Sequence, residues 1–335
     1  MKKVLFIALT SILIWSCSKN EAVPVDSQTM SKDNTKISTS PMKLLADVTF
    51  SEGRLIFADE AAVETYFAAL DNDPTLISKL NEKFPTFESS YDAYEELMEM
   101  SDDAFDQLNL DDYENIIEVV EKNGEPTIEA EIPFILASVI ANKNGEFQAG
   151  DKVFKLTHET VYELNVADYS AFKAGNQNMR SLTVYPVEVK SISNSRAQLT
   201  NCIQSYRLGR TNHRMIGAID HHASGPFEQV QADTKHEDQN RRGKWKRDRA
   251  SRMSQTGSID IKLSEYVYLN GGLGTWVDIS TKTESIARSR KNNSRIYKNA
   301  KTVFSTTKNL TVMSASTTHK TNGDDGGNRT CYCNL

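Results

Sequence analysis

Between Ile132 and Asn165 the hydrophobic period of the chain changes once, from helical to extended, and this change organises the front half. Ile132, Leu136, Val139 and Ile140 recur at helical spacing, and Pro133 at an opening helical position suits the fixed φ of proline. Asn142, Asn144 and Gly145 end the run, because asparagine and glycine tolerate the left-handed conformation that a helix ending needs. From Phe147 the period is two. Gly150-Asp151 makes a turn, Phe154 and Leu156 alternate with Lys152 and Lys155 around Val153, and Tyr162 and Leu164 repeat the pattern after a break at His158-Glu159. The expectation is a short helix feeding a small antiparallel meander. A buried strand over residues 134–140 is the alternative, since apolar runs this short are ambiguous.

Upstream, structure begins near Leu44. Leu55, Ile56 and Phe57 read as a strand, and Asp59 can cap a helix with Val63, Tyr66, Phe67 and Leu70 on one face. Asp73-Pro74 opens a second helix through Ile77, Leu80 and Phe84, and Ser90 caps a third carrying Tyr94, Leu97 and Met98. Residues 102–121 suggest a fourth, with Tyr113, Ile116, Ile117 and Val120 buried and Gly124-Glu125-Pro126 ending it. Residues 167–200 have weak periodicity and read as a linker or edge, with a strand at Leu182 to Val189 interrupted by Pro186.

After Cys202 the texture is extended. Ile259, Ile261 and Leu263 alternate with polar neighbours, Tyr266 to Leu269 run into an Asn270-Gly271-Gly272 turn, and Trp276 to Ile279 resume. Further short strands are expected at Ser294 to Lys298, Thr302 to Thr306 and Leu310 to Ser316. The fold class is therefore an α+β first domain (45–166) of short helices followed by a small meander, then an all-β, sandwich- or barrel-like second domain (201–335).

The stretch Ile132–Asn165, with GRLIFADEAAVETYFAAL at 53–70 and FESSYDAYEELMEM at 87–100, resembles uncharacterised surface lipoproteins of the Bacteroidota type. The shared pattern is an Asn-Gly turn, a Gly-Asp turn and a lysine-bearing strand behind a helical segment, over residues 48–166. The resemblance implies an envelope address and no particular activity.

The overall charge of −6 hides two opposite halves. Residues 45–131 hold 24 acidic and 4 basic side chains, a net of −20, whereas residues 196–335 hold 12 acidic and 23 basic, a net of +11. Lys2, Lys3 and the apolar run from Val4 to Trp15 form an export signal (1–16), too short for the roughly 20 residues that span a bilayer. It ends in Ile14-Trp15-Ser16-Cys17, which resembles a lipoprotein cleavage box that leaves Cys17 acylated at the new N-terminus. Residues 17–44 then form a polar, disordered tether, and the expected address is the cell envelope, at the outer membrane, with the lipid on Cys17 as the membrane contact.

Export places Cys202, Cys331 and Cys333 in an oxidising compartment, so Cys202 should bond to one of the other two. The spacing Cys331-Tyr332-Cys333 is too close for comfortable self-pairing and lacks the gap of zinc or redox pairs.

The sequence has no HExxH, GxSxG, GxxxxGK or CxxC pattern, and Gly271-Gly272-Leu273-Gly274 reads as a hairpin turn, so no catalytic residue and no cofactor is assigned. Histidines 213, 221, 222, 236 and 319 are the one metal-like set. Adjacent His221 and His222 on a strand would point to opposite faces, so exposed polar histidines and no metal is the reading taken. Asn322 to Asn328 offers oxygen ligands without the calcium-loop pattern. The densest cluster is Arg241, Arg242, Lys244, Trp245, Lys246, Arg247 and Arg249, closed by Arg252. Cations around an indole suit an anionic polysaccharide, whereas the envelope address argues against nucleic acid; a solvated edge strand is the plainer alternative. The functional expectation is an envelope lipoprotein serving as a binding or structural module. The opposing class is a hydrolase working through His221, His222 and a bound metal.

Overall fold

Helix α1 (Pro41–Ala46) leads into a tight hairpin of β1 (Thr49–Ser51) and β2 (Arg54–Phe57), in a computed structural model that describes residues 41–122, 124–190, 201–268, 274–323 and 326–335. The export signal, Cys17, most of the tether, the Asn270-Gly271-Gly272 turn and Asp324-Asp325 lie outside the described residues. Asp59 caps α2 (Glu60–Asn72) by accepting from the Ala62 amide at 2.8 Å, and Val63, Tyr66, Phe67 and Leu70 form its buried face. Helices α3 (Leu76–Lys83) and α4 (Ser90–Glu99) follow, the latter capped by Ser89 rather than Ser90, and α5 (Asp102–Phe105) is a single turn.

The helix expected over 102–121 does not form. Beyond a 3-10 turn at Leu110–Tyr113, strands β3 (Ile117–Lys122) and β4 (Glu125–Ala130) pair antiparallel, with Gly124 at φ 78° between them. Ile117, Val119 and Val120 are β-branched and lose rotamer freedom in a helix but little in a strand, and an Asn-Gly dipeptide between such residues favours a hairpin.

Helix α6 (Ile135–Ile140) starts later than its sequence pattern suggests, leaving Pro133 ahead of the cap at Phe134, and every residue in it is buried. The meander then forms as expected from β5 (Glu146–Ala149), β6 (Lys152–Leu156) and β7 (Thr160–Asn165). After α7 (Tyr169–Lys173), β8 (Thr183–Pro186) completes a six-stranded sheet in the order β1-β2-β5-β6-β7-β8.

The back half is built from β9 (Glu188–Val189), β10 (Asn201–Leu208), β11 (Thr211–Ser224), β12 (Phe227–Gln239) and β13 (Trp245–Arg247). It continues through β14 (Ala250–Tyr268), β15 (Gly274–Asn293), β16 (Arg295–Phe304), β17 (Lys308–Asn322) and β18 (Asn328–Asn334). The two strands expected at 294–298 and 302–306 are one, β16. A four-stranded sheet, β15-β14-β17-β18, faces β11, β12 and β16 across a core that includes Ile219, Val230 and Val303 on one side and Ile259, Ile261 and Leu310 on the other. This is the sandwich of the sequence reading. The sheets come close at Gly217, where an added Cβ would lie 2.4 Å from the His319 ring.

The proposed separation at 167–200 gives way to a shared body. β4 and β3 extend the sheet of the back half in the order β10-β11-β12-β13-β4-β3, with β4 parallel to β13. β8 and β9 tie the supposed linker into the two sheets. Phe227 and Phe304, 4.6 Å apart between ring centres, insert into the aromatic core of the front half beside Phe67, Phe147 and Phe154. Sheet pairing plus burial of such large rings makes one compact unit of the described residues.

Candidate functional site

The basic segment lies where the two oppositely charged halves meet, and its centre is turned inward. Trp245 is buried, donates from Nε1 to Glu125 Oε2 at 2.8 Å, and carries the Arg214 guanidinium over its ring at 4.2 Å. Lys246 is buried, with its ammonium 2.9 Å from the Met100 carbonyl and 3.1 Å from Asp102. Arg247 is buried against the Tyr94 ring and donates to Glu95 at 2.8 Å. On the rim, Arg241 pairs with Asp103 at 2.9 Å, Arg249 with Glu99 at 3.1 Å, and Arg242 donates to the carbonyls of Asp106 and Leu108. Lys244 borders a groove whose other charged walls include Glu114, Glu118, Glu131 and His158.

Trp245, Lys246 and Arg247 of the expected polyanion strip are thereby corrected to an internal joint, while Arg241, Arg242 and Arg249 stay exposed on its rim. Acidic helices α4 and α5 supply the counter-charges, and the indole and two of the cations are closed to any external polymer. Nearby, Lys235 binds Glu129 at 2.7 Å, Lys122 binds the same carboxylate at 2.6 Å, and Arg295 binds Asp233 through Nε at 2.9 and 3.0 Å. Burial works against the Glu129 carboxylate, but Lys235 and Lys122 outweigh it and hold the carboxyl well below its usual range. Asp233 is likewise opposed by burial and held low by Arg295 and Lys235.

His221 and His222 point to opposite faces, as their strand position requires. His221 Nε2 lies 2.8 Å from Glu228 Oε1, while the His222 ring packs against Phe134 at 6.1 Å between centres. They share no site, which removes the metal-hydrolase reading based on them. His221 is buried and His222 half-buried rather than exposed, and desolvation pushes the His222 imidazole below its ordinary value. His319 is buried between Thr234 and Thr317 hydroxyls, and burial lowers it to about 4.

A different pair of histidines converges. His213 on β11 lies opposite Asp238 on β12, and Met215 lies opposite His236, so the two imidazoles are diagonal neighbours on one face. Their rings stack 5.8 Å apart at 16°. Asp248, just past β13, donates its amide to the His236 carbonyl at 2.9 Å and sets its Oδ2 3.6 Å from Nδ1 of each histidine. Tyr206 on β10 stacks on His213 and places its Oη 2.6 Å from His236 Nε2, with the Arg329 guanidinium over the phenol ring. Asp238 completes the face; burial first, then Asp102 and Asp248, pushes its carboxyl up to about 8.

Of the two partners open to Cys202, the structure takes the first. Cys202 is bonded to Cys331, and Cys333 is a buried free thiol whose Sγ lies 3.5 Å from Cys202 Sγ.

No protein-family model matches this chain, and no curated protein matches it. Among solved structures it is similar to the crystal structure of a DUF4848 family protein from Bacteroides thetaiotaomicron, at 13% identity over 86% of this chain and 100% of that chain, with a TM-score of 0.27. A likeness at that level carries no argument about fold or function.

Proposed function

We propose that the chain is a cell-envelope lipoprotein, anchored through an acylated Cys17, whose folded body works as a binding or structural module by adding strands at its open sheet edge. The observation that supports this is β15. It is the outer strand of its sheet, and residues 275–283 are exposed on both of their faces. Tyr268 is 72% exposed, Trp276 50%, Val277 45% and Ile279 49%, so the end of the hairpin where β14 runs into β15 presents apolar surface in an otherwise charged molecule. A long uncovered edge of this kind pairs with a strand from another chain.

The partner that fits is a second copy. Antiparallel pairing of β15 about a two-fold axis at Ser280 brings Asp278 beside Lys282 of the second copy on both sides of the axis, across the bulge at Ile279, which is a self-complementary arrangement of charge. Ser280→Cys would then form a disulfide-linked dimer under mild oxidation, because residues facing each other at the axis lie about 5 Å apart between Cβ atoms. A control cysteine at exposed Ser251 would remain largely unlinked. A monomer in sedimentation at high concentration, with equal cross-linking of both variants, would reject the pairing. The anchor is tested separately: Cys17→Ala should move the protein from the membrane fraction to the soluble fraction, and unchanged fractionation would reject lipidation.

A further inference from the structure

We propose that His213, His236 and Asp248 form a binding site for one divalent transition-metal ion, distinct from the edge pairing of β15. The geometry carries it. Both imidazole Nδ1 atoms lie 3.6 Å from the same carboxylate oxygen, Asp248 Oδ2, and the three ligand atoms fall within 4.8 Å of one another. A tetrahedral ion with bonds near 2.0–2.1 Å needs its ligand atoms about 3.4 Å apart. Two edges of the triangle are therefore almost in place, and the His213–His236 edge closes when the two rings, 16° from parallel, tilt so that both planes meet at the ion.

The surroundings are those of a ligand set. Once Nδ1 is coordinated, Nε2 of His236 carries the proton and donates to Tyr206 Oη, now 2.6 Å away, which fixes the ring as outer-shell partners do in metal sites. Coordination replaces the contact that His236 Nδ1 makes with the Asp248 carbonyl at 3.0 Å, and that carbonyl stays beside the ion. An independent observation is Asp238. It is 4% exposed, lies directly opposite His213 and on the same face as His236, and its Oδ1 has no hydrogen-bond partner among the described residues. A cation beside it would be the partner that this buried oxygen otherwise lacks.

Two imidazoles and one carboxylate select the zinc, cobalt, nickel and iron(II) class over magnesium or calcium, which prefer all-oxygen shells. His236 is fully buried, whereas the Asp248 side chain is 29% exposed, so the ion is reached from the Asp248 side. That side also leaves a coordination position for water, as in open three-ligand sites.

The test is calorimetric titration of chelator-stripped, full-length mature protein with Zn²⁺, together with the visible spectrum of the Co²⁺ form. The expected result is one ion per chain and a cobalt d–d band of nitrogen–oxygen coordination. Asp248→Asn and His213→Gln should each raise the dissociation constant by at least about 10- to 100-fold, the range seen for loss of even an outer-shell partner. Tyr206→Phe, which leaves all three ligands in place, should weaken binding less than either and alter the cobalt spectrum. Absence of stoichiometric binding to the wild-type chain would overturn the proposal. So would an affinity unchanged in Asp248→Asn, because the ion would then sit on other histidines.

Discussion

Asp233→Ala is expected to lower the free energy of unfolding by about 3–5 kcal/mol, the range for removing one partner of a buried ion pair. Asp233 is 1% exposed and accepts from Arg295 Nε at 2.9 and 3.0 Å, while Lys235 stands 3.9 Å away and is held mainly by Glu129. Without the aspartate, the buried Arg295 guanidinium loses its bidentate acceptor, and Glu129 is left to balance Lys235 and Lys122 as before. The surface pair Lys298–Asp71, 3.1 Å long but about one-quarter exposed on each side, gives the comparison. Asp71→Ala should cost no more than about 1 kcal/mol, because solvent screens that pair. Urea denaturation of the two variants under one buffer decides the matter. Equal midpoints would mean that the internal charges are only solvated neighbours. A large difference would mean that the buried charges on β12 and β16 hold the fold, whereas the exposed Lys298–Asp71 pair between back and front adds little.

The charge asymmetry was legible in the sequence; its use was not. A run such as Arg241 to Arg249 looks like an external patch until the helices that cover it are placed, and nothing local to the run records that Glu95, Asp102 and Glu125 will face it. Local features were legible for the opposite reason. Asp59 and the α2 stripe, the Gly150-Asp151 turn and the alternation through Val153 depend on residues within a few positions of one another. The hairpin of β3 and β4 is hidden because Ile116, Ile117 and Val120 satisfy helical spacing as well as strand alternation, and Gly124-Glu125-Pro126 suits a helix ending as well as a turn. Long strands were hidden by their polarity. β12 buries Gln229, Gln231, Asp233, Thr234 and Glu237, each of which would mark a surface segment if its partners were unknown. The converging histidines did leave a signal. Gly225-Pro226 is a turn between two extended runs, and counting outward from it places His213 opposite Asp238 and His236 opposite Met215.

Loss of the disulfide should be as costly as loss of the buried aspartate, but only from one end. Cys202 and Cys331 are 129 residues apart, and closing a loop of that length stabilises the fold by about 5 kcal/mol in the chain-entropy account. Cys202→Ser removes this entirely, because Cys331 and Cys333 sit two apart on one strand and cannot cross-link that loop. Cys331→Ser is different. Cys333 Sγ already lies 3.5 Å from Cys202 Sγ, so a substitute bond needs only a small approach of the two sulfurs and closes a loop of nearly equal length. In the native protein the same thiol stays out of exchange, because burial pushes it up to about 12 and a thiol rather than a thiolate faces the bond. Under oxidising conditions Cys331→Ser should therefore retain most of its stability, and peptide mapping should find Cys202 joined to Cys333. Reductant should then bring it down to the level of Cys202→Ser. Equal destabilisation of both variants in oxidant, with Cys333 still alkylated as a free thiol after unfolding, would show that the third cysteine is packing alone.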